Sequence, residues 1–407
     1  MYINRLIEKT VISALKTFPV VLLTGVRQSG KTTILKHLFT DTFNYVSLDE
    51  LDIRELAIND PREFINRFKF PLIIDEIQNA IQLLPYIKAL VDRNRENGQF
   101  IITGSQHFPL MKNVSETLAG RVAILNLYPF MIEEMVGNYI AEEKNIENFL
   151  RIISSKETFE HPKIDLSHLL LQGGYPQLFI NQEISRNLWF SSYIQTYLDR
   201  DIRGNIKNEN INDFERFLKL VASRTAQELN YSTLSRDIGL SVPTIKSWIS
   251  LLQASSIVYL LQPYYKNFGK RIIKSPKLYF IDSGLASYLV GLQTQEHLIN
   301  GPMGGALFET FVITNLLKRF SALDINFSLY YWKSISGIEV DLLIEYNNKL
   351  FPAEIKLTST IHKNHYKSLL DWIRYSKQDI DFALLVTNSP IIGKITDSIY
   401  SCNWQNI

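Results

Sequence analysis

Short apolar runs punctuate the first third of the chain, at 20–23, 45–48, 72–74, 100–103 and 122–127, with helix-like patterns between them. Runs of that length read as strands buried on both faces, and alternation with amphipathic helices predicts a parallel α/β sheet with helices on both sides. From about 132 to 210 the pattern turns helical and charged, broken at Gln172-Gly173-Gly174-Tyr175-Pro176, where Gly and Pro mark a turn. Residues 211–290 hold helix-sized segments and then strand-like runs at 257–261 and 278–281. After Gly291 a helical pattern over 306–320 precedes strand-like segments around 330, 340–344, 351–355 and 382–386. The expected organisation is an α/β core over 1–136, a helical lid or linker subdomain over 137–210, a smaller helical domain over 211–290 and a second α/β domain over 291–407.

Composition narrows this picture only slightly. With 407 residues, 46% hydrophobic and 21% charged, the chain reads as globular and as more than one domain. A formal net charge of +2 does not by itself argue for nucleic acid, so the placement of charge has to decide. Cys402 is the single cysteine and has no internal partner for a disulfide. No secretory leader and no apolar run near the ~18 residues a membrane span needs are evident, so a cytoplasmic protein without membrane association is expected.

The first chemistry-bearing motif is Gly25-Val26-Arg27-Gln28-Ser29-Gly30-Lys31-Thr32, followed by Thr33. It fits the phosphate-cradling pattern G-x-x-x-x-G-K-[S/T] and lies between a strand-like and a helix-like run, as that pattern requires. Glycines let successive N–H groups converge on a polyanion, the helix adds its positive end, Lys31 reaches the outer phosphates and Thr32 offers its hydroxyl to Mg²⁺. ATP or GTP is the expected ligand.

Roughly 40 residues later, Leu72-Ile73-Ile74 delivers Asp75 and Glu76 at a strand tip, the spacing expected for a magnesium-holding acid and a carboxylate that orients or deprotonates the attacking water. A small-molecule kinase needs no such water activator, so hydrolysis is favoured. Thr103 and Ser105, at the end of the next strand, are placed to hydrogen-bond that water or the terminal phosphate, although turn chemistry accounts for them as well. Arg121 follows a helix and precedes a strand; it is read either as a residue reaching a neighbouring subunit's nucleotide, which implies a homo-oligomer, or as a surface ion pair.

With Thr103-Gly104-Ser105 and with Gly120-Arg121 ahead of Leu127-Tyr128-Pro129-Phe130, these motifs resemble those of AAA+ type P-loop ATPases. More narrowly, the chain is similar to a bacterial and archaeal group with a Gly-x-Arg-Gln-x-Gly-Lys-Thr-Thr loop, whose C-terminal half carries Gly173-Gly174-Tyr175-Pro176 and Asp199-Arg200-Asp201-Ile202. The resemblance implies ATP rather than GTP.

In the middle, 231–239 and 242–255 read as two helices joined at Leu240-Ser241, with Leu234, Ile238, Ile245, Ile249 and Leu252 at helical spacing. This matches a helix-turn-helix, and the following strands would complete a winged helix. Thr244, Lys246, Ser247 and Trp248 are then expected to face outward or partly outward on the second helix, beside a basic hairpin bearing Lys266, Lys270, Arg271, Lys274 and Lys277, a surface suited to DNA phosphates. A packing or dimerisation domain with a solvated lysine loop is the alternative.

Near the C-terminus, Asp341 lies on one strand-like segment and Glu354 and Lys356 on the next, with Asn347-Asn348-Lys349 as the turn. On paired strands Asp341 and Glu354 can share a hard divalent cation, Lys356 shares the face of Glu354, and Glu309 on the preceding helix supplies a further acid. The arrangement resembles the PD-(D/E)xK nuclease superfamily, with Val340 where that group commonly has proline. An exposed ion pair between Glu354 and Lys356 is the plainer alternative. The reading that joins these parts is an ATPase whose nucleotide state controls a DNA-binding middle and a metal-dependent nuclease-like end. Its rival is a nucleotide-dependent switch whose last domain binds nucleic acid or protein without cutting.

Overall fold

In the computed structural model the chain is described at residues 2–105, 108–137, 143–155, 164–197, 211–265, 275–376, 380 and 382–407. Two compact units form, one from Met1–Phe130 with Ser250–Ile257 and one from Met131–Ile249 with Val258–Ile407.

The first unit is built on β1 (Val20–Gly25), β2 (Asn44–Ser47), β3 (Leu72–Asp75), β4 (Phe100–Ser105) and β5 (Val122–Asn126), in the order β2-β3-β4-β1-β5. Every pairing is parallel. β1 and β3 are buried along their full length, as strands covered on both faces must be. Val20, Leu22, Ile74, Phe100 and Ile102 point to one side and join Phe64, Leu83, Ile87 and Leu110 from the crossover segments in a single core. This is the mixed α/β architecture of a P-loop NTPase, and the continuous apolar runs of the sequence coincide with its strands. Parallel strands leave their carboxyl ends on one edge, so Gly25, Asp75 and Ser105 emerge side by side.

The second unit holds a nine-stranded sheet, ordered β13-β14-β12-β11-β10-β9-β7-β8-β6, from β6 (Gln227–Glu228), β7 (Val258–Pro263), β8 (Lys277–Phe280), β9 (Ser328–Lys333), β10 (Glu339–Tyr346), β11 (Lys349–Lys356), β12 (Ala383–Thr387), β13 (Gly393–Lys394) and β14 (Ile399–Asn403). β7 pairs with β9 through Gln262 and Pro263, so strands from 211–290 and from 291–407 share one sheet. The helices Tyr231–Ile238 and Val242–Ala254 fall where the apolar spacing places them, with Leu234, Ile245 and Ile249 buried. Trp248, expected to face outward, does not: it is 3% exposed and packs edge-on against Phe214 and Phe217. An indole gains more from burial against two rings than from the solvated face of a helix.

A long helix, Gly304–Ala322, carries Glu309 and is buried along most of its length. Gly173-Gly174-Tyr175-Pro176 proves to be a packing joint. A Cβ on Gly173 would lie 2.2 Å from Asp282 Oδ1, the N–H of Gly174 donates to Asp282 Oδ2 at 2.7 Å, and Tyr175 is enclosed by Trp189, Phe190 and Tyr193. The Asp199-Arg200-Asp201-Ile202 motif lies outside the described residues. Among the described residues, no helix is long and apolar enough to cross a membrane.

Candidate functional site

β1 ends at Gly25, where a Cβ would lie 2.1 Å from the Leu127 carbonyl oxygen, so only glycine lets the loop leave the strand there. Gln28 at φ 59° and Gly30 at φ 96° are both left-handed and curl the backbone into the helix Lys31–Phe39. No side chain caps that helix at Gly30, leaving the first-turn N–H groups for a ligand. Lys31 Nζ is turned onto the loop, donating to Gly25 O at 3.2 Å and Val26 O at 3.0 Å. Ser29 Oγ is buried and makes no hydrogen bond among the described residues. Arg5, which sequence reasoning missed, braces the loop from outside by donating to Ser29 O at 2.9 Å and Tyr128 O at 2.6 Å. Arg27 is half-buried, Thr33 is exposed and Val26 lies in the core.

Asp75 is buried at the tip of β3 and accepts hydrogen bonds from three hydroxyls: Thr32 Oγ1 at 2.8 Å, Tyr45 OH at 2.6 Å and Thr103 Oγ1. Burial and the neighbouring carboxylate push the Tyr45 hydroxyl well above the ordinary tyrosine range, so it stays a donor. Thr103 Oγ1 also accepts from the Glu76 N–H at 3.1 Å, so one hydroxyl ties the two acids together. Glu76 is left-handed at φ 60°, and its Oε2 accepts from Gln78 Nε2. Lys31, Thr32, Asp75, Glu76 and Thr103 therefore converge from two parallel strand ends and one helix. The Ser105 side chain lies outside what is described. Arg121 is joined to Asp92 through Nε and, at 3.1 Å, through NH2 to Oδ2. The donor set suits a magnesium nucleotide: an uncapped helix start and a lysine on the loop for phosphates, and a hydroxyl–carboxylate pair for the metal.

The second cluster lies on β10 and β11, joined through Asn347 and Asn348, both left-handed, as a two-residue hairpin demands. Asp341 Oδ2 accepts from the Ile355 N–H at 2.9 Å and from Lys356 Nζ at 3.1 Å, and Lys356 Nζ reaches Glu354 Oε1 at 2.7 Å. Glu354 Oε2 is buried without a hydrogen bond among the described residues, with Ser368 beside the carboxylate. Burial, then the charge of Asp341, raises the carboxyls of Glu354 and Glu309 above the usual range. Glu309 Oε1 accepts from Lys277 Nζ at 3.2 Å and Tyr279 OH at 2.6 Å. Lys277 is thus buried inside the acid cluster, not exposed on a basic hairpin, because β8 joins the sheet and its alternation sends Lys277 and Tyr279 to the same side. The sequence reading placed Lys277 on that basic hairpin and did not single out Tyr279. Lys266, Lys270, Arg271 and Lys274 lie outside the described residues. Thr244 is half-buried and bonded to Ser241 Oγ at 2.8 Å, whereas Lys246 is exposed, 5.5 Å from the Tyr231 ring centre. Among the described residues no three His, Cys, Asp or Glu side chains form a ready metal cage.

The sheet and its loop define an AAA-type P-loop ATPase domain, and residues 17–136 match the family described as AAA domain. Residues 163–296 and 304–405 match two domains of unknown function, DUF8612 and DUF4143. The chain belongs to the same family as Uncharacterized protein Rv2008c of Mycobacterium tuberculosis, to which it is 30% identical over 361 residues, spanning 88% of this chain and 75% of the relative. An uncharacterized protein of Haemophilus influenzae is 22% identical over 393 residues, covering 88% and 90% of the two chains. Among solved structures, a Walker-type ATPase of Pyrococcus abyssi aligns over 70% of this chain and 94% of its own at 14% identity and a TM-score of 0.42.

Proposed function

We propose that the first unit binds ATP with Mg²⁺ and hydrolyses it. The observation that carries this reading is the Thr32–Asp75 hydrogen bond at 2.8 Å beside Glu76, with Thr103 bonded to both acids. The backbone of 25–33 and Lys31 would hold the phosphates, and Thr32 and Asp75 would hold the metal, which neutralises phosphate charge when bound. Glu76 orients and deprotonates the attacking water, with Gln78 fixing its carboxylate. Arg121 is assigned to a neighbouring copy's nucleotide, a role that requires it to leave Asp92; that exposed pair contributes little to stability and is no obstacle to exchange. Lys31→Ala is expected to lower ATP affinity at least about tenfold and to abolish turnover, since it removes the one side-chain charge placed on the outer phosphates. Native affinity measured with a fluorescent ATP analogue, together with native phosphate release, would refute the assignment.

For the second unit we read the helix pair 231–254 with β7 and β8 as a winged helix that contacts DNA, and the cluster on β10 and β11 as a nuclease-like centre. Glu354 Oε2, buried and without a hydrogen bond among the described residues though Ser368 neighbours the carboxylate, supports a cation there, because a hard metal ion is a fitting partner for a desolvated carboxylate oxygen. Asp341 and Glu354 would hold that ion, and Lys356 orients water beside them. ATP turnover then governs what this unit does with DNA. In an assay with supercoiled and single-stranded DNA and Mn²⁺, cleavage by the native chain and its loss in Asp341→Ala are expected. Intact DNA in all arms, with ATP turnover preserved, would favour the non-cutting switch, in which the same unit binds nucleic acid or protein.

A further inference from the structure

Lys277 is a buried ammonium. Its side chain is 4% exposed and lies between two carboxylates, Glu309 at 3.2 Å and Glu339, with the Tyr331 ring centre 5.5 Å from its ammonium. An ammonium so far from water costs several kcal/mol unless acids return that energy. Here they do: the ammonium lies within ion-pairing distance of both Glu309 and Glu339. Glu339 is itself held by Lys333 at 3.3 Å, whereas Glu309 is bonded, among the described residues, by Lys277 and the Tyr279 hydroxyl. Both groups bond the same oxygen, Glu309 Oε1. Asp341 and Glu354, in contrast, are joined by Lys356. The acids are therefore served by three lysines from different strands, Lys277 on β8, Lys333 on β9 and Lys356 on β11, and Glu309 is paired with the first.

We propose that Lys277 is an internal counter-cation that occupies Glu309 in place of metal, so that the native cluster takes a single divalent ion on Asp341 and Glu354. The proposal rests on the metal-binding reading of that cluster. A fixed positive charge within hydrogen-bonding distance of Glu309 repels a divalent cation from it, and in a poorly solvated site this repulsion is only weakly screened.

The test is a calorimetric titration of the full chain with Mn²⁺, with circular dichroism confirming the fold of each variant. With no nucleotide present to complete the Thr32–Asp75 site, the native chain is expected to bind one ion, at Asp341 and Glu354. Lys277→Gln, which keeps a donor near Glu309 and Glu339 but removes the charge, should gain a second ion or bind the first about tenfold tighter. Lys277→Arg should behave as native, and the gain should vanish in the Lys277→Gln, Glu309→Gln double variant. Native-like binding by Lys277→Gln, or a gain that survives loss of Glu309, overturns the proposal. If Lys277→Gln does not fold, Glu309→Gln alone decides. A change under about twofold is expected because Glu309 is already committed to Lys277, and a tenfold loss overturns the idea. Asp341→Asn separates the two levels: if it retains native Mn²⁺ binding, the metal reading itself fails, whatever the Lys277 variants do.

Discussion

Glu76→Gln is expected to leave ATP affinity within about twofold of native while lowering turnover at least about 10²-fold. The substitution keeps the shape of the side chain and removes its capacity to take a proton. Its backbone setting should persist: Glu76 is left-handed at φ 60°, a conformation that costs a non-glycine residue on the order of 1–3 kcal/mol, and its N–H is fixed by Thr103 at 3.1 Å. Strain of this kind at a strand tip fits a carboxylate held where its reaction partner arrives, away from where relaxed backbone would take it. Phosphate release and equilibrium binding of a fluorescent ATP analogue, measured on the same preparation, give the two numbers. Turnover within threefold of native would remove Glu76 from the chemical step. A parallel loss of affinity would show that the acid acts on binding.

This centre was largely legible in the sequence because its parts are local: a glycine loop after an apolar run, and acids at the end of another. Parallel strands with aligned carboxyl ends then bring those parts together without further information. What the sequence concealed were supports that come from far along the chain. Arg5 reaches across 24 residues to Ser29 and 123 to Tyr128, and Tyr45 crosses 30 to Asp75, distances over which no periodicity operates. Lys277 was misjudged for a related reason. A cluster of lysines reads as solvated, and only the pairing of β8 with β7 shows that one of them turns into the acids. The short strands β13 and β14, of two and five residues, gave too little alternation to register.

Arg319→Met is expected to destabilise the second unit by about 3–5 kcal/mol, whereas the same change combined with Glu133→Leu should return most of that loss. Arg319 and Glu133 are 2% and 3% exposed and ion-paired to each other, and the guanidinium lies 4.1 Å from the centre of the Phe149 ring. Removing the cation alone takes the guanidinium away from a carboxylate in a poorly solvated site. Removing both leaves an apolar gap flanked by Phe149 and Phe320, which methionine and leucine can fill. Unfolding in urea followed by tryptophan fluorescence reports on this unit selectively, since the five tryptophans, Trp189, Trp248, Trp332, Trp372 and Trp404, all belong to it. Glu133 lies three positions after Phe130, where the first stretch of unit one ends, and Arg319 shares its helix with Glu309. Along the same joint, Asn315 Oδ1 accepts from the Ile132 N–H at 2.9 Å. Both bonds lie within the second unit and fix residues 132 and 133 to the helix that carries Glu309. A loss under about 1 kcal/mol in Arg319→Met would mean that water or a rearranged side chain already compensates Glu133, and that the pair does not anchor this helix.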